Sequence, residues 1–119
     1  MEVRIKRAYE APAATDGDRI LVDRLWPRGR RKADLRLDAW LKDVAPSGEL
    51  RIWFGHDPAR WVEFKRRYRR ELRASTKRAL LHGLAARARQ GTLTLVYGAK
   101  DTEHNEAVVL KSIIERMRT

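Results

Sequence analysis

The sequence predicts a small single-domain α/β fold over residues 1–119, in which a short, mainly parallel sheet is covered by helices. Two apolar runs of strand length, residues 20–22 and 93–97, are dense in branched and aromatic residues, which is typical of buried strands. Over much of the remaining chain, apolar residues recur at spacings of three and four, which is typical of amphipathic helices. The chain of 119 residues is also long enough to bury a core without disulfides.

A first strand is predicted at residues 3–7, where apolar and basic residues alternate as in a half-exposed strand. With the two apolar runs it makes a minimal sheet of three strands. Residues 12–17 have the composition of a loop. A crossover between parallel strands normally needs about a dozen residues or more, so by length alone the first two strands could form a hairpin.

Two segments in the middle of the chain have short helical patterns. Residues 37–44 fit an amphipathic helix that ends at the proline turn of residues 45–48, and residues 50–54 fit a further helical turn. The inward positions of the first segment are Trp40, Leu41 and Val44.

A longer helix is predicted from Pro58 to about Arg73. Asp57 can accept hydrogen bonds from free backbone N–H groups, and a proline at the first helical position has no N–H that needs a partner. The buried stripe of this helix consists of Trp61, Phe64, Tyr68 and Leu72.

Two more helices complete the pattern. Ser75 or Thr76 is expected to cap the first of them, which ends at Gly91. Thr102 or Asp101 is expected to cap the second. The inward residues are Leu80, Leu81, Leu84 and Ala88 in the first helix and Ala107, Leu110, Ile113, Ile114 and Met117 in the second.

The composition limits the function classes. A net charge of +11 favours phosphate-rich partners, but the excess of 20 arginines over 7 lysines can also come from a GC-rich genome. With no cysteine, disulfides, thiolate zinc sites and a cysteine nucleophile are excluded, and the cytoplasm is the expected location. No uncharged apolar run is long enough to span a membrane, so no membrane partner is expected.

The candidate site lies where two buried strands end. The carboxyl ends of parallel strands meet at one edge of a sheet, so the polar residues that follow them are expected to come together. Guanidinium groups and the free N–H groups of a helix beginning near Thr102 would then form a pocket for a small anion, phosphorylated or nucleotidic. The candidate ligand-binding residues are Arg24, Trp26, Arg28, Lys100 and Asn105.

Three residues of this cluster are candidates for catalysis, namely Asp23, His104 and Asp101. Asp23 would act as a general base or hold an arginine. His104 is a candidate because histidine is the residue type that ordinarily transfers protons near neutrality. The structural alternatives are that Asp23 pairs with Arg24 or Arg51 and that Asp101 simply caps a helix. No metal site is predicted, because no helix places two histidines four residues apart. No cofactor is predicted either, because neither Gly29 nor Gly98 belongs to a phosphate-loop or dinucleotide-binding motif.

Several motifs resemble one bacterial family over nearly the whole chain. They are Val22-Asp23-Arg24-Leu25-Trp26-Pro27-Arg28-Gly29, Trp53-Phe54-Gly55-His56-Asp57-Pro58, and Leu95-Val96-Tyr97-Gly98-Ala99-Lys100-Asp101 followed by His104-Asn105. The sequence resembles the YeaO-like branch of domain-of-unknown-function family 488. The resemblance implies a small three-layered α/β fold with a parallel first strand pair, and it carries no activity over.

Three function classes stay open. The first is an enzyme or binding domain for a small anionic ligand. The second is a nucleic-acid binding or transcription-related protein that uses its basic surface, including Arg28, Arg30, Arg31 and Lys32 and the basic face of the helix from Pro58. Against it, the aromatic residues of that helix face inward and are poorly placed to stack on bases. The third is a partner-binding scaffold, and the oligomeric state is left open.

Overall fold

A computed structural model describes residues 2–117 and contains one sheet of four parallel strands. The strands are β1 (Glu2–Arg7), β2 (Asp18–Leu21), β3 (Ala39–Trp40) and β4 (Thr92–Tyr97). The helices are α1 (Lys32–Leu35), α2 (Gly48–Phe54), α3 (Trp61–Glu71), α4 (Ser75–Gln90) and α5 (Glu106–Met117). Short 3-10 turns occupy Ala14–Asp16, Lys42–Val44 and Pro58–Arg60. The predicted α/β class with a parallel sheet is confirmed.

The sheet order is β1-β4-β2-β3, which puts the last strand of the sequence between the first two. β4 pairs in parallel with β1 on one side and with β2 on the other. The hairpin that length alone allowed between the first two strands is therefore wrong. Their parallel direction agrees with the resemblance, but they are not neighbours, and residues 8–17 connect them across β4.

The two faces of the sheet are covered unequally. Leu93, Leu95 and Tyr97 of β4 belong to the main core, where α4 and α5 pack against β1 and β4. Val96, whose side chain lies on the opposite face of β4, packs in a smaller cluster with Ala8, Leu21 and Leu35. Ala8 belongs to the connection between β1 and β2, and Leu35 belongs to α1. The period-two alternation of a strand thus sends successive residues of β4 into two separate layers.

The helix predicted at residues 37–44 is wrong, because this segment forms β3 and a 3-10 turn. Ile20 of β2 stands opposite Ala39. The N–H of Asp38 donates to the carbonyl of Arg19 at 2.8 Å, and the N–H of Leu41 donates to that of Leu21 at 2.9 Å. The free edge of β2 supplies hydrogen-bond partners that a local helical pattern does not show, and tertiary pairing overrides a weak helical preference.

The ends of the later helices also differ from their predictions. The start signal at Asp57 is confirmed, since its side chain accepts from the N–H of Ala59 at 2.9 Å. Ser75 is the first residue of α4 and makes no cap, whereas Gly91 does end that helix. α5 begins at Glu106, later than the predicted start near Thr102. No helix of the described chain is long and apolar enough to cross a membrane.

Candidate functional site

A cleft of about 230 Å³ lies beyond the carboxyl ends of β2 and β4. The two strands are parallel neighbours, so the loops that follow them leave the sheet at the same edge. Asp23, just after β2, accepts a hydrogen bond through Oδ2 from the backbone N–H of Gly98, just after β4, at 2.8 Å. This bond joins the two loops that were predicted from the sequence to lie close together. We refer to the space between these loops as the β2–β4 cleft.

Gly98 permits this close contact because it has no side chain. A Cβ atom at this position would lie 2.9 Å from Oδ2 of Asp23, which is closer than real Cβ atoms come to a neighbour. The missing side chain therefore allows the carboxylate to reach the backbone. Any larger residue must push Asp23 away from the end of β4.

Glu106, the first residue of α5, forms a carboxyl pair with Asp23. Its side chain is hydrogen-bonded to Asp23 and lines the same cleft. Burial, and then the hydrogen bond and negative charge of Asp23, raise the pKa of Glu106 well above its ordinary value. Glu106 thus keeps its proton at a pH where an exposed glutamate has lost it.

The sequence analysis missed Glu106. Its only signal was its place directly after His104-Asn105, and acidic residues are common in the first turn of any helix because they complement the helix dipole. This general preference does not distinguish Glu106 from any other acidic residue in a first helical turn. The role of Glu106 depends on its contact with Asp23, which is distant from it in the sequence.

Two arginines and a histidine supply positive charge or hydrogen-bond donors to the cleft. The Nε of Arg24 donates to the carbonyl of Pro46 at 3.1 Å, which holds the half-buried guanidinium at the cleft wall. Arg51 of α2 and His56 line the cleft from an exposed position. Within residues 2–117, Asp23 forms no ion pair with Arg24 or Arg51, so that structural alternative is not observed.

His104 is held in place by Asp101. Oδ2 of Asp101 contacts Nδ1 of His104 at 2.9 Å, and the imidazole packs edge-on against Trp61 with 5.3 Å between ring centroids. The backbone N–H of Glu103 and then the His104 side chain lower the pKa of Asp101. His104 lines the cleft and Asp101 does not. With Nδ1 engaged, Nε2 is the ring nitrogen left for a ligand.

The prediction that free helix N–H groups near Thr102 help to form an anion pocket is wrong. Oδ1 of Asp101 already accepts from the N–H groups of Glu103 and His104, at 2.9 and 3.0 Å. The predicted ligand residue Asn105 is buried and caps α5, because its Oδ1 accepts from the N–H of Val108 at 3.1 Å. Side-chain oxygens have taken the donors that an anion would have used.

Three of the predicted ligand residues do not line the cleft. Trp26 donates through Nε1 to the carbonyl of Arg30 at 2.7 Å and packs at 5.4 Å between ring centroids against Trp40. Arg28 and Lys100 are exposed and absent from the cleft wall. The chain turns towards α1 after Trp26, through Gly29 with a φ of 77°. Asp23, Arg24, His104 and Asn105 are the predicted residues that the structure does bring to the cleft.

Replacing Glu106 with Gln is expected to make the protein's stability less sensitive to pH. The folded protein holds the Glu106 proton more tightly than the unfolded chain does. From the ordinary value of 4.5 up to the raised pKa, its contribution to the free energy of unfolding therefore falls, by about 1.4 kcal/mol per pH unit. Glu106→Gln removes this loss, so its stability relative to the wild type should rise as the pH is raised above 4.5 in urea unfolding experiments.

The matched control is Glu103→Gln, the same substitution on an exposed side chain of the preceding turn. Its difference from the wild type should stay constant over the same pH range. Parallel stability curves for Glu106→Gln and the wild type would contradict the raised pKa.

The comparisons with known proteins agree with the resemblance. The family model described as "Inactive DUF488-N3 subclade" matches residues 2–118. The chain belongs to that subclade. The uncharacterized protein YeaO of Escherichia coli (strain K12) is 44% identical to it over 110 residues, which are 92% of this chain and 94% of the relative. The uncharacterized protein Rv3073c of Mycobacterium tuberculosis (strain ATCC 25618 / H37Rv) is 44% identical over 112 residues, 94% of this chain and 92% of that one. No solved structure matches.

Membership in the subclade covers the residues of the β2–β4 cleft, because the match runs through both loops. Within residues 2–117, no three His, Cys, Asp or Glu side chains are grouped as a metal ion would require.

Proposed function

We infer that the β2–β4 cleft binds a small hydroxylated anion, such as a sugar phosphate, without converting it. One observation carries this proposal: a carboxyl pair, Asp23 and Glu106, lies in the same small cleft as Arg24. A ligand that satisfies both kinds of group needs an anionic end and several hydroxyl groups.

The two ends of such a ligand match different residues. Guanidinium groups bind phosphate or carboxylate oxygens through paired N–H bonds, which suits Arg24 and Arg51. Carboxylate oxygens accept hydrogen bonds from sugar hydroxyls, as an acidic side chain does with ribose in dinucleotide-binding folds. The carboxylate of Asp23 fits this task. Glu106, which keeps its proton, can accept through its carbonyl oxygen, and His104 can add a further contact through Nε2.

The size of the cleft limits the ligand. Its volume of about 230 Å³ is below the range of about 300–1,000 Å³ that is usual for sites enclosing drug-sized ligands. A phosphate joined to a short polyol can be enclosed, whereas a nucleotide would extend into solvent. This favours the smaller of the two ligand classes that the sequence left open.

Two features favour binding over turnover. The matched subclade is described as inactive. In addition, the N–H of Gly98 and the pairing with Glu106 hold Asp23 in a fixed position, and its remaining acceptor sites are available for ligand contact. We therefore assign Asp23 and His104 to ligand contact and Asp101 to the positioning of His104.

The test is calorimetric titration of the purified protein with ribose 5-phosphate and with inorganic phosphate. Replacing Arg24 with Gln should weaken binding about tenfold or more, since it removes a charge-assisted hydrogen bond. Arg28→Gln is the matched control, because Arg28 is exposed and outside the cleft, and it should leave the dissociation constant within about twofold of the wild type.

A second variant tests the carboxylate without changing any charge. Gly98→Ala should displace Asp23 and weaken binding of ribose 5-phosphate more than that of inorganic phosphate, because the hydroxyl contacts are lost. Equal losses for Arg24→Gln and Arg28→Gln, or unchanged binding by both cleft variants in their folded state, would rule the proposal out.

The nucleic-acid alternative receives less support from the geometry. Arg31 is paired with Asp34 at 3.4 Å, and Arg66 and Arg67 of α3 are both paired with Glu63 at 2.8 Å. These ion pairs offset part of the basic surface that this alternative uses. A titration with duplex DNA at several salt concentrations tests it, and phosphate contacts predict a steep loss of affinity with added salt.

A further inference from the structure

A second concave surface lies where the ends of three helices meet, away from the β2–β4 cleft. It is a groove of about 430 Å³ between the C-terminal part of α3, the first half of α4 and the last turns of α5. Its floor is apolar and consists of Leu72, Leu81, Ile113 and Met117. Its rim is basic and consists of Arg69, Arg73, Arg78 and Arg116, with His82 between them. We call this surface the arginine groove.

Three arginines of the groove have no acidic partner among residues 2–117. No acidic residue of the described chain lines the groove. Arg69, Arg73 and Arg78 form no ion pair with any residue between 2 and 117, in contrast to Arg66 and Arg67, which pair with Glu63 and do not line the groove.

One of these arginines has a buried hydrogen-bond donor that has no partner among the described residues. The Nε of Arg69 is shielded from solvent and has no hydrogen-bond partner in the described structure. A buried polar group is normally satisfied, and an exception calls for a specific explanation. A bound molecule whose acceptors draw the Arg69 guanidinium outwards would relieve the cost of this unpaired donor.

We propose that the arginine groove binds an acidic amphipathic helix of a partner protein. Apolar side chains of that helix would pack on Leu72, Leu81, Ile113 and Met117, as in other cases where a helix lays its apolar face in a groove. Its flanking Asp or Glu side chains would meet the arginines of the rim.

The apolar floor distinguishes this occupant from a nucleic acid. A phosphate backbone would pair with the rim but would leave the floor unused. Of residues 2–117, no Phe, Tyr or Trp lines the groove to stack on a base, and His82 alone offers a smaller ring. A second copy of this chain is disfavoured by repulsion between molecules of net charge +11. The groove shares no lining residue with the β2–β4 cleft, so the two proposals can fail separately.

The probe is a synthetic peptide of about 15 residues, a length at which isolated helices begin to form, with leucines at spacings of three and four and glutamates beside them. Binding is followed by fluorescence anisotropy. The double variant Arg69→Gln/Arg73→Gln should bind about tenfold more weakly than the wild type. The control Arg66→Gln/Arg67→Gln removes the same charge from neighbouring residues that do not line the groove, and it should change the affinity less than about twofold.

Two further comparisons separate the proposal from general charge attraction. A peptide with the same composition but with its leucines scattered around the helix should bind at least about tenfold more weakly. In ¹H–¹⁵N spectra of the wild type, which require no variant to fold, the ordered peptide should shift the signals of residues lining the groove. Equal effects of the two double variants, no binding at low salt, or displacement of the peptide by an equimolar single-stranded DNA oligonucleotide would overturn the proposal.

Discussion

Replacing Asp16 with Ala is expected to lower the free energy of unfolding by about 3–5 kcal/mol, because it leaves a buried cation without its partner. Oδ2 of Asp16 lies 2.6 Å from Nη1 of Arg19, and the Arg19 residue is 3% exposed. The same carboxylate accepts from Nζ of Lys6 at 3.1 Å and from the N–H of Ala13 at 3.0 Å. Asp16 thus connects β1, β2 and the segment that joins them.

The matched control is Asp18→Ala, two residues later. Asp18 pairs with Arg87 at 3.4 Å in a half-exposed position, so its loss should cost no more than about 1 kcal/mol. Urea unfolding of both variants at neutral pH measures the difference. Similar losses for the two substitutions would contradict a special role for the buried pair.

The effect of Asp16→Ala should also depend on pH. Burial opposes the charged form, but the N–H of Ala13 and the side chains of Lys6 and Arg19 outweigh it and lower the pKa of Asp16 below 3.8. The stabilisation by Asp16 is therefore present above pH 3.8 and is lost as the pH falls through the lowered pKa. The wild type and the variant should converge in stability in acid.

Replacing Gly17 with Ala is expected to be at least as damaging, with a loss of about 3 kcal/mol or more in the free energy of unfolding. Gly17 has φ 63° and ψ −134°, a combination that is essentially restricted to glycine. A Cβ atom there would lie 2.2 Å from the carbonyl oxygen of Thr92 at the start of β4. This neighbour is backbone in the central strand, so it cannot move aside as the end of a flexible side chain can.

The same substitution at Gly83 should have the opposite sign. Gly83 lies in the middle of α4, and an added Cβ would meet nothing within 4 Å. Because alanine favours the helix interior more than glycine does, Gly83→Ala should raise the free energy of unfolding by up to about 1 kcal/mol. Thermal unfolding followed by circular dichroism compares the two variants. A higher Tm for Gly17→Ala than for the wild type would contradict the predicted clash between a Cβ at position 17 and the backbone of Thr92.

Much of the fold could be predicted because the elements concerned are defined by local patterns. The strands at residues 3–7 and 93–97 have patterns that sheets impose whatever their order. The start of the helical segment at Asp57-Pro58 depends on hydrogen bonds within a few residues of that point. β3 could not be predicted, because its two residues become a strand only by pairing with the edge of β2.

The candidate site divides in the same way. Asp23 lies two residues after β2, and His104 lies in the loop that follows β4. The general behaviour of parallel sheets was enough to place these two loops near one another. Arg28 and Lys100 are equally close in sequence to the strand ends, yet they lie outside the cleft. The path of each loop after its strand determines which of its residues reach the cleft. That path cannot be derived from the number of residues between them and the strand end.

The sequence by itself determined the α/β class, the parallel direction of the strands through the family resemblance, and the expectation that the loops after β2 and β4 meet. Only the tertiary structure decided that β4 lies between β1 and β2 and that Glu106 pairs with Asp23. It also decided that the helix N–H groups near Thr102 are already occupied. Apolar periodicity reports which side of an element is buried, whereas strand order and contacts between polar groups depend on the free energy of the whole packed chain.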